Sequence, residues 1–110
     1  MTPDLEVSTF QKRPSYRYIR ASDKLPIRNE RPNDPIAKVK LFNPTGIGTW
    51  YLAEYDPATR IAYGLCVLQE TKLGYVSMQE LVDFRGTFGL PIERDLHCTP
   101  RRLSEIGGHP

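Results

Sequence analysis

A chain of 110 residues with 39% hydrophobic content and ten prolines amounts to one domain, long enough to bury a core without disulfides or metal. It has no apolar run of about 18 residues and no apolar stretch near its start, so neither a membrane span nor a secretory leader is expected and the cytoplasm is the expected compartment. The net charge of +2 is uneven: Lys12 to Arg31 carries seven Lys or Arg against two acids, a local charge of +5 that leaves −3 for the rest.

Residues 1–35 read as an extended basic arm, because prolines at 14, 26, 32 and 35 limit any helix. Its strand-like piece is Ser15 to Arg20, with Tyr16 and Tyr18 on one face and Arg17 on the other. Basic charge interleaved with aromatic rings is a footprint for an anionic partner, and it is also what a solvated segment looks like. Arg13, Tyr16, Arg17, Tyr18 and Arg20 are the candidate partner-binding residues. Arginine and tyrosine suit nucleic acid and equally an acidic patch on a protein.

Residues 36–110 read as an α+β domain. Ala37 to Phe42 alternates apolar and lysine residues, as an edge strand does. Asn43 to Gly48 is a loop, and it lacks the lysine of a phosphate-binding loop. Thr49 to Tyr55 and Ile61 to Leu68 form the central hairpin around the turn Asp56-Pro57-Ala58-Thr59. Trp50 is expected in the core, with Glu54 on its face and paired to Lys38 or Lys40. Ala62, Gly64 and Cys66 make the second strand small on one side, where a helix can approach closest at Gly64. Glu70 to Lys72 is expected to turn, and Leu73 to Val76 to form a short strand.

Ser77-Met78-Gln79-Glu80 is a capping box, opening a helix through Leu81, Val82 and Phe84 that stops near Gly86. Thr99-Pro100 starts a second short helix carrying Leu103 and Ile106 inward and ending at Gly107. Cys66 and Cys98 are expected reduced and buried.

Glu93-Arg94-Asp95-Leu96-His97 is the densest polar cluster. On a strand, Glu93, Asp95 and His97 share one face, where two carboxylates and an imidazole suit a divalent metal or a division of acid and base roles. The alternative is structural: ion pairs to Arg85, Arg101 or Arg102 that fix the segment, with Arg94 on the opposite face. A metal needs a further ligand, and His109 near the end of the chain is a poor one. No Ser-His-Asp or Cys-His order suggests a nucleophile, and no cofactor motif is visible.

With these residues in view, KLFNPTGIGTWYLAEYDPATRIAYG, LGYVSMQEL and RGTFGLPIERDLH resemble a family of small bacterial proteins classed only as a domain of unknown function. The similarity runs from Lys38 to Ile106, with Cys98 where an aromatic is usual and Arg60 where the turn often has glycine; the arm lies outside it. The family's members recur on plasmids, phages and integrative elements, so the resemblance implies a mobile-element setting and no activity. The expected architecture is one α+β domain: an antiparallel sheet of four or five strands on the central hairpin, with two short helices. The expected function is a non-enzymatic binding protein that occupies a surface of a host or element protein, for example as an inhibitor of a defence complex such as CRISPR. A small metal-dependent or acid-base enzyme using Glu93, Asp95 and His97, and a nucleic-acid-binding accessory protein using the arm, are the alternatives.

Overall fold

The central hairpin of the sequence is the middle of the sheet. The structure, a computed structural model, describes residues 3–8, 14–27 and 35–106. Its strands are β1 (Asp4–Val7), β2 (Arg17–Arg20), β3 (Ile36–Ala37), β4 (Val39–Phe42), β5 (Thr49–Asp56), β6 (Ile61–Val67), β7 (Thr71–Ser77), β8 (Glu93–Arg94) and β9 (Arg101–Arg102). The helices are α1 (Met78–Asp83) and α2 (Leu103–Ile106). Among the described residues, one antiparallel sheet of five strands has the order β7-β6-β5-β4-β8, and two-stranded sheets pair β1 with β2 and β3 with β9. This is the expected α+β class.

The β5–β6 turn follows its sequence signal and then departs from it. Asp56 Oδ1 accepts the Ala58 N–H at 2.9 Å, and the Asp56 carbonyl accepts the Arg60 N–H at 2.8 Å. Closing the turn this way puts Arg60 at φ 60°, a left-handed conformation that a side chain with a Cβ adopts at a cost.

A bulge in β5 changes which residues share a face. Leu52 pairs with Gly64, but Glu54 and not Ala53 pairs with Tyr63, so Ala53 is the extra residue. Trp50 and Leu52 therefore face one core, while Glu54 lies with Tyr63 on the other side, away from Trp50. Strict alternation fails here by one residue. Lys38 and Lys40 are also engaged elsewhere: Lys38 Nζ donates to the Lys24 carbonyl at 3.3 Å, and Lys40 Nζ lies 3.5 Å from Asp95 Oδ2. Gly64 does mark a close approach, but to backbone: a Cβ there would lie 1.9 Å from the Tyr51 carbonyl oxygen.

Both faces of the hairpin are covered, as its two apolar faces require. On one face Tyr18, Ile19, Val39, Leu41, Leu52, Tyr55, Met78, Leu81, Val82 and Ile92 pack into the larger core, with Trp50 partly buried against it. On the other, Ala37, Ala53, Leu65 and Leu103 form a smaller cluster with Tyr51, Tyr63 and Ile106 against it.

Helix α1 starts at its predicted cap, where Ser77 Oγ accepts the Glu80 N–H at 3.3 Å. It ends earlier than expected: Phe84 is already extended at ψ 138°, so the helix does not reach Gly86. Strand β7 is longer than expected and begins at Thr71, because the turn closes over Leu68 to Glu70. Helix α2 begins at Leu103 rather than at Thr99-Pro100. Arg101 and Arg102 pair with Ala37 and Ile36, and that pairing holds them extended. The expected end at Gly107 lies outside the described residues.

The segment ahead of residue 36 is not a separate arm where it is described. Tyr18 and Ile19 are 0% and 1% exposed and belong to the larger core, and the Pro26 carbonyl accepts the Tyr55 N–H at 3.0 Å. Cys66 and Cys98 are free and half-buried, and burial pushes both thiols up. No helix among the described residues is long and apolar enough to cross a membrane.

Candidate functional site

The described residues of the basic segment are not assembled as one exposed surface. Arg13 lies outside the described residues. Tyr16 and Tyr18 are buried, and the Tyr18 hydroxyl donates to the Ile92 carbonyl at 2.6 Å. Arg17 and Arg20 share one carboxylate, with Nε atoms 3.6 and 3.8 Å from Asp4. The tyrosines are structural anchors of β2, so a partner approaching the segment meets the two arginines and Asp4.

The polar cluster is divided rather than convergent. Strand β8 holds only Glu93 and Arg94, and Leu96-His97 is already a turn, so Glu93, Asp95 and His97 do not line one strand face. Arg94 makes a bidentate pair with Asp23, at 2.7 and 2.8 Å, and its Nη1 also donates to the Tyr18 carbonyl at 3.4 Å. Asp23 accepts the Arg20 N–H as well, at 2.8 Å. Asp95 caps its own turn by accepting the His97 N–H at 2.9 Å, and faces Lys40. Arg94 and Asp95 thus tie the segment to Asp23 and Lys40. Among the described residues no three His, Cys, Asp or Glu side chains gather to hold a metal ion.

A buried polar cluster that the sequence gives no periodic sign of joins β1 to the central turn. Glu6 is 2% exposed, and its carboxylate accepts the Tyr55 hydroxyl at 2.5 Å and two N–H groups of Arg60 at 2.8 and 3.0 Å. Burial first, and then the hydrogen bond to Glu6, pushes the Tyr55 phenol well above its usual value. The guanidinium is held charged by the same carboxylate. These three groups satisfy one another and clamp two segments.

A feature of a different kind is a pair of loops at one end of the sheet. The first, Asn43 to Gly48, joins β4 to β5. Asn43 organises it: its Oδ1 accepts the Thr45 N–H at 3.1 Å, and its own N–H donates to the Gly48 carbonyl at 2.8 Å. Gly48 takes φ 138° beneath the Trp50 ring, where a Cβ would lie 2.8 Å from the indole. The loop presents Ile47, 63% exposed. The second, Gly86 to Leu90, is closed by Gly86 N–H to the Leu90 carbonyl at 2.8 Å, Gly89 N–H to the Gly86 carbonyl at 2.9 Å, and Leu90 N–H to the Thr87 carbonyl at 3.3 Å. At its tip Phe88 is 92% exposed, with φ 61° and ψ 19°. The loops abut, since a Cβ on Gly86 would lie 2.7 Å from Thr45 Oγ1.

A phenylalanine held out in a left-handed conformation carries two costs, exposed apolar area and backbone strain. Neither is offset by a contact within the described chain. Chemically the tip offers one aromatic and one aliphatic side chain, without a titratable group. The sequence signal is a phenylalanine set between glycines in Gly86-Thr87-Phe88-Gly89, just past the expected helix stop at Gly86.

No curated protein and no solved structure matches the chain. The pattern of the family described as protein of unknown function (DUF2958) matches residues 16–106. The match takes in β2, which the resemblance from Lys38 onward left out, and the packing gives the reason: Tyr18 and Ile19 are core residues of the same domain. With its matched region spanning both cores, the chain belongs to this family of proteins of unknown function.

Proposed function

We propose that the protein is a non-enzymatic binding protein that docks on another protein through Phe88 and Ile47. The observation that carries this reading is the Phe88 side chain, 92% exposed on a backbone at φ 61°. A rigid aromatic presented at low entropic cost is the usual anchor of a protein interface, and it is worth most when it fills an apolar pocket. An exposed aliphatic side chain on the abutting loop supports a protein pocket over a nucleic-acid base, because isoleucine has no face to stack. The basic segment supports a nucleic-acid partner less, since its tyrosines are buried and both described arginines face Asp4. The mobile-element setting implied by the resemblance makes a host defence complex such as CRISPR the first candidate partner, inhibited by occupancy. That choice rests on the resemblance alone.

The test compares proteins retained from host lysate by the unaltered chain, by Phe88→Ala and by Ile47→Ser, with melting temperatures measured alongside. The expected result is a protein retained by the unaltered chain and lost with Phe88→Ala at unchanged melting temperature. Retention of every captured protein by both variants overturns the reading.

A further inference from the structure

We propose that β7 is a self-association edge, pairing antiparallel with β7 of a second copy of this chain. Among the described residues β7 has a neighbour on one side only. The phase of its outer side follows from two hydrogen bonds that flank the β6–β7 ladder, Met78 N–H to the Arg60 carbonyl at 2.9 Å and Leu68 N–H to the Glu70 carbonyl at 3.0 Å. In an antiparallel ladder the hydrogen-bonded pairs alternate. The even-numbered residues of β7 therefore turn their backbone groups toward β6, and the odd-numbered ones turn theirs outward. Thr71 and Leu73 combine outward backbone with exposed side chains on the same face, Leu73 being 38% exposed.

A second copy fits this edge with the two-fold axis between Leu73 and its own copy. Odd residues then meet odd residues, so the outward N–H and C=O groups match in phase. Leu73 meets Leu73, and Thr71 meets Tyr75, a pairing of β-branched and aromatic side chains that stabilises sheets. On the opposite face Lys72 of each copy lies across from Gly74 of the other. Gly74 has nothing within 4 Å of where a Cβ would stand, so the long lysine side chain has room. A lysine on an edge strand ordinarily repels a second edge. Here Glu70 neutralises it within its own chain at 2.9 Å, and the two edges meet without net charge. Both copies use the same patch, as a closed two-fold dimer requires. This inference uses the β7 edge and not the two-loop tip, so it stands or falls separately from the docking reading.

Sedimentation equilibrium over a concentration series tests it. The unaltered chain is expected to move from 12.6 kDa toward twice that mass as concentration rises. Leu73→Glu and Leu73→Lys each bring like charges together at the axis and should weaken self-association at least tenfold. An equimolar mixture of the two should recover it as a heterodimer, because opposite charges then face each other. Leu73→Pro removes an outward N–H and no ladder bond, so it should melt as the unaltered chain does and stay monomeric. A chain that remains monomeric at every concentration overturns the proposal, as does a dimer that survives Leu73→Pro. A mixture of the charge variants that fails to recombine overturns it too.

Discussion

Glu6 and Arg60, separated by 54 positions, meet as a bidentate ion pair in which the carboxylate side chain is 1% and the guanidinium side chain 41% exposed. The pair holds Arg60 in the left-handed conformation that ends the β5–β6 turn. Local strain and a long-range clamp are thus located in one residue, and they can be separated by mutation. Glu6→Ala removes the clamp and leaves a cation that can still reach water, so the loss should fall at the low end for a broken buried pair, about 3 kcal/mol. Arg60→Gly relieves strain worth about 1 kcal/mol but strands the Glu6 carboxylate with Tyr55 alone, and should also destabilise. Adding Glu6→Gln to Arg60→Gly should recover part of that loss. Urea midpoints for the cycle measure the coupling.

The same cluster sets an alkaline limit. Burial and the hydrogen bond to Glu6 raise the Tyr55 phenol, and burial raises Tyr18. The unfolded chain releases these protons near pH 10, while the folded chain keeps them. The folded state then binds more protons, so stability falls as pH rises. The contribution is complete below about pH 9 and is lost progressively above about pH 10. Tyr55→Phe should reduce the slope of the urea midpoint against pH in that window. It should also cost about 1–2 kcal/mol at neutral pH, through the lost hydrogen bond to a buried carboxylate.

Two glycines that face each other across β6 and β7 should respond oppositely to the same change. A Cβ on Gly64 meets the Tyr51 carbonyl oxygen at 1.9 Å, so the backbone of β5 must move. Gly64→Ala should cost about 3 kcal/mol or more. A Cβ on Gly74 meets nothing within 4 Å, and Gly74→Ala should be neutral or stabilising by up to about 1 kcal/mol. Chemical denaturation of the two variants in dilute solution decides the comparison.

The two ion pairs of the polar segment should differ in weight. Arg94 and Asp23 are 16% and 11% exposed, and Asp23→Ala leaves the guanidinium with one carbonyl, for an expected loss of about 3 kcal/mol. Asp95 and Lys40 are about a third exposed, and Asp95→Ala should cost less than about 1 kcal/mol. Manganese or zinc should leave the melting temperature of the unaltered chain where it was. A metal-induced rise that disappears in Asp95→Ala would show a metal site at this segment.

Phe88→Gly is expected to raise stability by about 0.5–1 kcal/mol, because glycine takes the φ of 61° without strain and no packing is lost. A fall in the urea midpoint would mean that Phe88 packs against the domain in solution.

The sheet was legible because its signals are local. The Asp56-Pro57 turn, the alternation of β4 and β6 and the Ser77 cap each depend on neighbours within a few residues. The errors lie where distant residues decide. Ala53 bulges and carries Glu54 to the other face, which no local count of alternation contains. Arg101 and Arg102 are held extended by Ile36 and Ala37, against a good helix start just before them. Tyr16 and Tyr18 look like a solvated aromatic pair beside arginines, but both are buried: Tyr18 packs into the larger core, and its hydroxyl stays satisfied there by the Ile92 carbonyl 74 positions away. The two-loop tip was missed for a different reason: exposure and a positive φ at phenylalanine leave no periodic trace.

Arg60 bears on how the chain can be shortened. The matched family region begins at residue 16, and Glu6 stands ahead of it. A fragment cut at that boundary keeps the left-handed arginine and loses the carboxylate that holds it, along with the acceptor for the Tyr55 hydroxyl. Anyone trimming the protein to residues 16–106 should therefore combine the cut with Arg60→Gly, which suits the turn geometry, and with Tyr55→Phe. Trimming and substitution at positions 55 and 60 are here a single design decision.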